Sequence, residues 1–177
     1  MAGKTVKTRL NPAHEWVSQT QEATGVTEVA DATAAALKLT VAQARQRLAA
    51  VPVARLATVG PAGRPHLVPV TFALDGDLIY TAVDAKPKTT TNLRRLGNIR
   101  RDPRVAVLAD HYEADWDRLW WARADGLASI LGDPADRARP LELLAARYPQ
   151  YRANPPAGPL IAIAVERWTG WAASDAP

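Results

Sequence analysis

The sequence predicts a mainly β domain: an antiparallel barrel of about six strands with short helices between them. Three observations predict it. Short runs of β-branched and other apolar residues recur between positions 53 and 167, bounded by Gly, Pro, Asp or Asn. Asp75-Gly76 separates two such runs and is a strong hairpin signal. The resulting meander leaves no room for the crossover helices of a doubly wound parallel sheet.

The 177 residues suit one domain with a tail, and 47% apolar with 23% charged residues is a soluble globular composition. No apolar run approaches the roughly 18 residues of a membrane span. Lys4, Lys7 and Arg9 have no apolar stretch behind them, which argues against a secretory signal and for the cytoplasm. The absence of cysteine removes disulfides, thiolate catalysis and cysteine metal sites. Net charge is only +4, but Lys86, Lys88, Arg94, Arg95, Arg100, Arg101 and Arg104 fall close together, opposed only by Asp102. That concentration attracts anions.

Residues 1–38 lack sustained periodicity and are expected to be an N-terminal extension, partly disordered or draped on the domain formed by residues 39–177. Thr40 is placed to cap a helix whose apolar stripe is Val41, Ala44, Leu48 and Ala49, with Gln43, Arg45, Gln46 and Arg47 toward water. Pro52 ends it. Val53–Val59 reads as a strand, Gly60-Pro61-Ala62-Gly63 as a tight turn, Arg64–Leu74 as one second strand, and Asp77–Val83 as its return. A short helix over Thr90–Ile99 follows the basic segment, then a turn at Asp102-Pro103 and a buried-type strand at Val105–Ala109. Leu119–Leu131 reads as a long strand in which Asp125-Gly126 makes either a bend or a hairpin; the bend is favoured. Asp133–Tyr148 is largely helical with Pro140 near a helix start, and Leu160–Arg167 is the last strand, closed by Trp168 and Trp171.

Catalytic groups are scarce. His14, His66 and His111 have no metal-type spacing, and no nucleophile elbow, GxGxxG or Walker sequence is present. His111, Glu113, Asp115 and Asp117 cluster after a strand, as solvated acidic loops commonly do. The stretch from Lys86 through Lys88, Thr89, Thr90 and Thr91 to Asn92 enters a helix, where lysines, hydroxyls and free backbone N–H groups suit a phosphate. On spacing alone a charged loop with a threonine cap fits equally. Trp120 and Trp121, adjacent on a strand, must face opposite sides of the sheet, one toward the core and one toward a ligand or dimer surface.

Four segments carry a family resemblance. Ala54-Arg55-Leu56-Ala57-Thr58-Val59, with Gly63-Arg64-Pro65-His66 and Val68-Pro69-Val70, resembles the opening strands of the pyridoxamine-phosphate-oxidase-like split-barrel superfamily. Lys86, Lys88 and Asn92-Leu93-Arg94-Arg95, followed by Asp102-Pro103-Arg104-Val105, resemble its phosphate-binding segment. Arg118-Leu119-Trp120-Trp121, Arg123, Asp125-Gly126 and Val165-Glu166-Arg167-Trp168-Thr169-Gly170-Trp171 are similar to the branch that uses coenzyme F420, a deazaflavin. The resemblance spans about residues 40–173. It implies a six-stranded antiparallel split β-barrel, a homodimer, and a cofactor site at the subunit interface.

By that resemblance Lys86 and Lys88, with Thr89 and Asn92, would hold the cofactor phosphate. The ring would pack along Pro69, Val70 and Thr71 and near Tyr80, Thr81 and Ala82, with Trp120, Trp121 or Trp168 from the second subunit. The arginines after Asn92 would meet the polyglutamate tail. The implied activity is hydride transfer between F420 and a small organic substrate, with His66 and Tyr80 as candidate proton donors. Rival readings are an FMN-dependent enzyme of the same fold and a non-catalytic cofactor-binding or sensing protein. Nucleic acid is disfavoured: no aromatics interleave with the basic run, and no helix-turn-helix pattern is evident.

Overall fold

Two strands adjacent in the chain sit at opposite ends of one antiparallel sheet, and that arrangement makes the barrel. The computed structural model describes residues 38–83 and 93–174. Among them are helix α1 (Val41–Ala50), strands β1 (Ala54–Val59), β2 (Pro65–Val70), β3 (Ala73–Asp75) and β4 (Leu78–Ala82), helix α2 (Arg94–Arg101), strands β5 (Arg104–His111) and β6 (Trp120–Leu131), helices α3 (Ala138–Arg147) and α4 (Pro149–Ala153), and strand β7 (Leu160–Ala172). The sheet order is β2-β1-β5-β6-β7-β4-β3. If flat, a sheet of that width would hold its outer strands about 29 Å apart. Only Thr71 and Phe72 join β2 to β3, a link that spans at most about 11 Å. The sheet must therefore curl until its ends meet.

That junction corrects the sequence reading, which ran Arg64–Leu74 as one strand and counted six where the described residues form seven. Alternation cannot see the cause, a tyrosine far along the chain. Phe72 N donates to Tyr148 Oη at 3.0 Å, and the same hydroxyl lies 2.8 Å from Phe72 O and 2.9 Å from Pro52 O as donor to either. A side chain from the end of α3 takes the backbone bonds a ladder would have used, so the strand breaks there.

The remaining elements follow local chemistry. Thr40 caps α1 in a reciprocal box with Gln43. Gly76 takes a positive φ of 61° in the β3–β4 turn. β6 is continuous, and the Asp125-Gly126 irregularity is a bulge in its pairing with β7, not a hairpin. A Cβ on Gly126 would lie 2.1 Å from Ala164 O, so only glycine fits. β5 runs from Arg104 to His111 with alternating burial, one face in and one out. β7 continues through Trp168 and Trp171 to Ala172, longer than expected. Helix α2 begins at Arg94, and positions 90–92 of its expected start lie outside the described residues, as do residues 1–37.

Phe72, Leu56, Val107, Ile79, Ile161 and Ile163 fill the barrel, and Leu48 of α1 is fully buried against them. A smaller cluster packs Leu144, Tyr148 and Tyr151 on Ala73, Ala82 and Leu160. Arg45 and Arg47, expected to face water, are half-buried: their guanidiniums lie 5.5 Å from the Trp168 ring and 5.4 Å from the Trp120 ring. Val41, expected in the apolar stripe, is exposed. Among the described residues no helix is long and apolar enough to cross a membrane.

Candidate functional site

The barrel seam gathers most of the ring-binding residues inferred from sequence. Val70 ends β2, Thr71 is in the crossover, and Ala73 pairs with Tyr80 on β4. Tyr80, Thr81 and Ala82 continue along β4 against Ala162, Ile161 and Leu160. Val70, Tyr80, Thr81 and Ala82 are buried and Pro69 is exposed. Thr71 Oγ1 is 2.8 Å from Tyr151 Oη, so the crossover is held at both its residues by the α3–α4 pair. The chain leaves the seam at Val83, whose N–H donates to Pro159 O, and is described again from Leu93. Lys86, Lys88, Thr89 and Asn92, the expected phosphate ligands, lie outside the described residues.

Beside the start of α2 is a cavity of about 450 Å³ lined by Gly60, Arg64, His66, Arg94 and Asn98 among others. It takes shape from the β1–β2 turn, where Ala62 and Gly63 adopt positive φ of 55° and 73°. Leu93, the N-cap, makes no side-chain capping bond, which leaves first-turn N–H groups of α2 without that partner. Buried Asn98 anchors the wall: its Nδ2 donates to Thr58 Oγ1 at 2.9 Å, and Arg101 donates to Asn98 Oδ1 at 3.2 Å and to Val59 O at 2.8 Å. Thr58 Oγ1 in turn lies 3.4 Å from His66 Nδ1. Among the described residues no carboxylate pairs with Arg64 or Arg94. The cavity is cationic.

The basic run therefore divides. Arg94 faces the cavity, Arg101 braces the wall, and Arg104 forms a two-bonded pair with Asp102. The Arg104 hydrogen bonds hold the Asp102 carboxyl down at about 2. Arg64 is the cavity residue that sequence reasoning missed. Its signal was position, directly after a turn that aims it at the helix start.

Trp121 and Trp171 lie elsewhere. Tyr80 is opposite Ala162, and from there to Trp171 is nine residues of β7, about 30 Å of strand. Trp121 and Trp171 are direct cross-strand partners on the outer face. Trp120 and Trp168 turn inward onto the core, as the alternation of Trp120 and Trp121 predicts. Trp168 Nε1 donates to Asp77 Oδ1 at 2.8 Å, and Arg45 also binds that carboxylate. The indole bond first, and the guanidinium second, hold Asp77 below the usual carboxylate range. Gly170 lets Leu39 lie close, since a Cβ there would be 2.8 Å from Leu39 Cδ1. At this end His111 Nε2 and Glu113 Oε1 are 3.0 Å apart, and that bond lowers the Glu113 pKa, with Arg118 adding to it. Among the described residues no three His, Asp or Glu side chains are grouped to hold a metal.

A family model described as Pyridoxamine 5'-phosphate oxidase matches residues 40–172. The chain belongs to that family. Among solved structures it is similar to a conserved hypothetical protein of Mycobacterium tuberculosis, at 24% identity and TM-score 0.64 over 78% of this chain and 88% of that one. It is also similar to an FAD-binding protein of Mesorhizobium loti, at 21% identity and TM-score 0.57 over 75% and 94% of the two chains. A third, an FAD-binding protein of Mycobacterium smegmatis, gives 16% identity and TM-score 0.52 over 76% and 95%. These likenesses show that the pyridoxamine 5'-phosphate oxidase family member has their fold. No curated protein matches the sequence.

Proposed function

We propose that this family member is an oxidoreductase subunit that uses coenzyme F420 in a site completed by a second copy of the chain, acting in the cytoplasm on a small organic substrate. One observation carries the choice of cofactor: the cavity at α2 presents Arg64, Arg94 and His66, with no carboxylate paired to either guanidinium among the described residues. That donor set fits an acidic chain. F420 carries a polyglutamate tail, whereas the single phosphate of FMN needs only Lys86 and Lys88.

In this reading Lys86, Lys88, Thr89 and Asn92 hold the phosphate, and the chain then runs directly into Arg94 at the tail cavity. Pro69, Val70, Thr71, Tyr80, Thr81 and Ala82 take the ring along the seam. Their backbone is kept rigid by the Tyr148 and Tyr151 hydroxyls, so little ordering is left for binding to accomplish. Of Trp120, Trp121 and Trp168, the second copy brings Trp121, which lies on the outer face, whereas Trp120 and Trp168 pack on their own core. Exposed Leu67, with Ala57 and Ala106 beside it across the strands, gives the outer sheet face an apolar row for that contact. When bound, the coenzyme supplies a hydride from its C5 position to an electron-poor C=C or C=N group. The protein fixes distance and excludes water. His66 and Tyr80 are the candidate proton donors where the substrate needs one.

The names of two structural neighbours favour a second reading, a flavin in place of the deazaflavin. Titration of the full chain with F420 and with FMN, followed by tryptophan fluorescence, separates the two. F420 is expected to bind, and Lys88→Ala to weaken it by about 1.5–3 kcal/mol, the range for a charge-assisted hydrogen bond. Tight FMN binding without a response to F420 would replace the deazaflavin by the flavin.

A further inference from the structure

Beyond Ala164, β7 has no β4 neighbour, and that stretch of its edge is met by Lys38 and Leu39 through a Lys38–Trp171 bridge and a 3.0 Å bond from Leu39 N to Gly170 O. A groove of about 790 Å³ lies there, within the usual size range of small-molecule pockets. Its walls are Trp121 and Trp171 of the outer face, with the exposed ring of Tyr112 beside them, and it is also bordered by Trp168, whose indole turns to the inner face. Trp121 and Trp171 stand directly opposite each other in the ladder, so their rings share one face.

Indoles at a sheet edge are commonly interface packing, and two further features point past that. Thr169 Oγ1, in the groove lining, is buried with no hydrogen-bond partner among the described residues. A buried hydroxyl left unpaired is costly, and pure apolar packing would leave it so. Lys38 is exposed at the same groove, and among the described residues no carboxylate pairs with it. Flat aromatic walls, one unmet polar atom within and one cation at the rim define a ligand by its chemistry.

We propose that this groove is a small-molecule subsite for a planar heteroaromatic acid. The ring lies against the indoles, one of its polar atoms meets the Thr169 hydroxyl, and its acidic group meets the Lys38 ammonium. Only the ligand's role as substrate rests on the cofactor reading above. The binding itself uses residues of a single chain.

The test is isothermal titration of the full-length protein, with and without F420, using quinoline-3-carboxylate, the uncharged quinoline-3-carboxamide and the non-aromatic cyclohexanecarboxylate. Quinoline-3-carboxylate is expected to bind one per chain. Lys38→Ala should weaken it about tenfold, as loss of a charge-assisted contact does, and leave the carboxamide unchanged. Thr169→Val, nearly the same shape, should weaken both quinolines, and cyclohexanecarboxylate should bind more weakly than either. Circular dichroism establishes that each variant is folded. Equal affinity for carboxylate and carboxamide, or no effect of Lys38→Ala on the carboxylate, overturns the proposal. Quinoline-3-carboxylate binding without any F420 binding would remove the cofactor reading and leave this site standing; the converse would remove this site alone.

Discussion

The seam and the tryptophan end hold their residues by different means. At the seam, the Tyr148 and Tyr151 hydroxyls grip the backbone and Thr71 of the crossover, packed on buried Leu144. At the other end, indoles are held by half-exposed guanidiniums and by Asp77, and Lys38 and Leu39 cross an edge that has no other strand partner among the described residues. Buried hydrogen bonds with few alternatives fix one geometry, while exposed stacking and ion pairs contribute less and rearrange more easily. A seam so built suits a permanent cofactor surface. An end so built suits ligands that come and go.

Gly126→Ala should disturb both regions most, because β6 and β7 meet in the bulge between them. The new Cβ would be 2.1 Å from the Ala164 carbonyl and 2.9 Å from Val165 Cα. We expect a loss of about 3 kcal/mol in urea unfolding, at the upper end of overpacking costs. A midpoint like that of the native chain would mean the bulge is pliable.

Tyr148→Phe should come next. It leaves Phe72 N without its acceptor in a buried place, and a loss of about 2 kcal/mol is expected. Hydrogen exchange should then rise at Phe72 and leave Gly170 and Trp171 as before. Equal acceleration at both ends would erase the distinction between them.

The smallest effect should come from acid. Asp77 is held below the ordinary carboxylate value of 3.8 by Trp168 and then by Arg45. Its contribution is present above that ordinary value and disappears as pH falls through the lower folded one. Trp168 fluorescence should therefore shift in that acidic window while the seam stays intact, and Asp77→Asn should abolish the shift. A transition unchanged in Asp77→Asn would assign it to another group.

Local chemistry made much of the fold legible. The Thr40 cap, the Asp75-Gly76 hairpin and the bend at Asp125-Gly126 each rest on a few adjacent residues, and each stands in the structure. The break after Val70 was illegible because its cause, Tyr148, is 76 residues from Phe72. Arg45 and Arg47 were misread for a similar reason: helical period says which face a side chain is on, not that indoles from β6 and β7 stand beside it. The sequence marked the seam residues and the tryptophans as binding candidates. Only strand register sets Trp121 and Trp171 far from Tyr80, and only the fold brings Arg64 and Arg94 to one cavity.

The meeting of β2 and β3 at opposite ends of the sheet also constrains how the chain reaches its native state. These strands are separated by two residues and each pairs locally, β2 with β1 and β3 with β4, yet the two hairpins join one sheet only when β5, β6 and β7 line up between β1 and β4. Hairpin-by-hairpin zippering cannot finish such a topology. Its final contacts join distant parts of the chain, the condition under which small domains fold slowly.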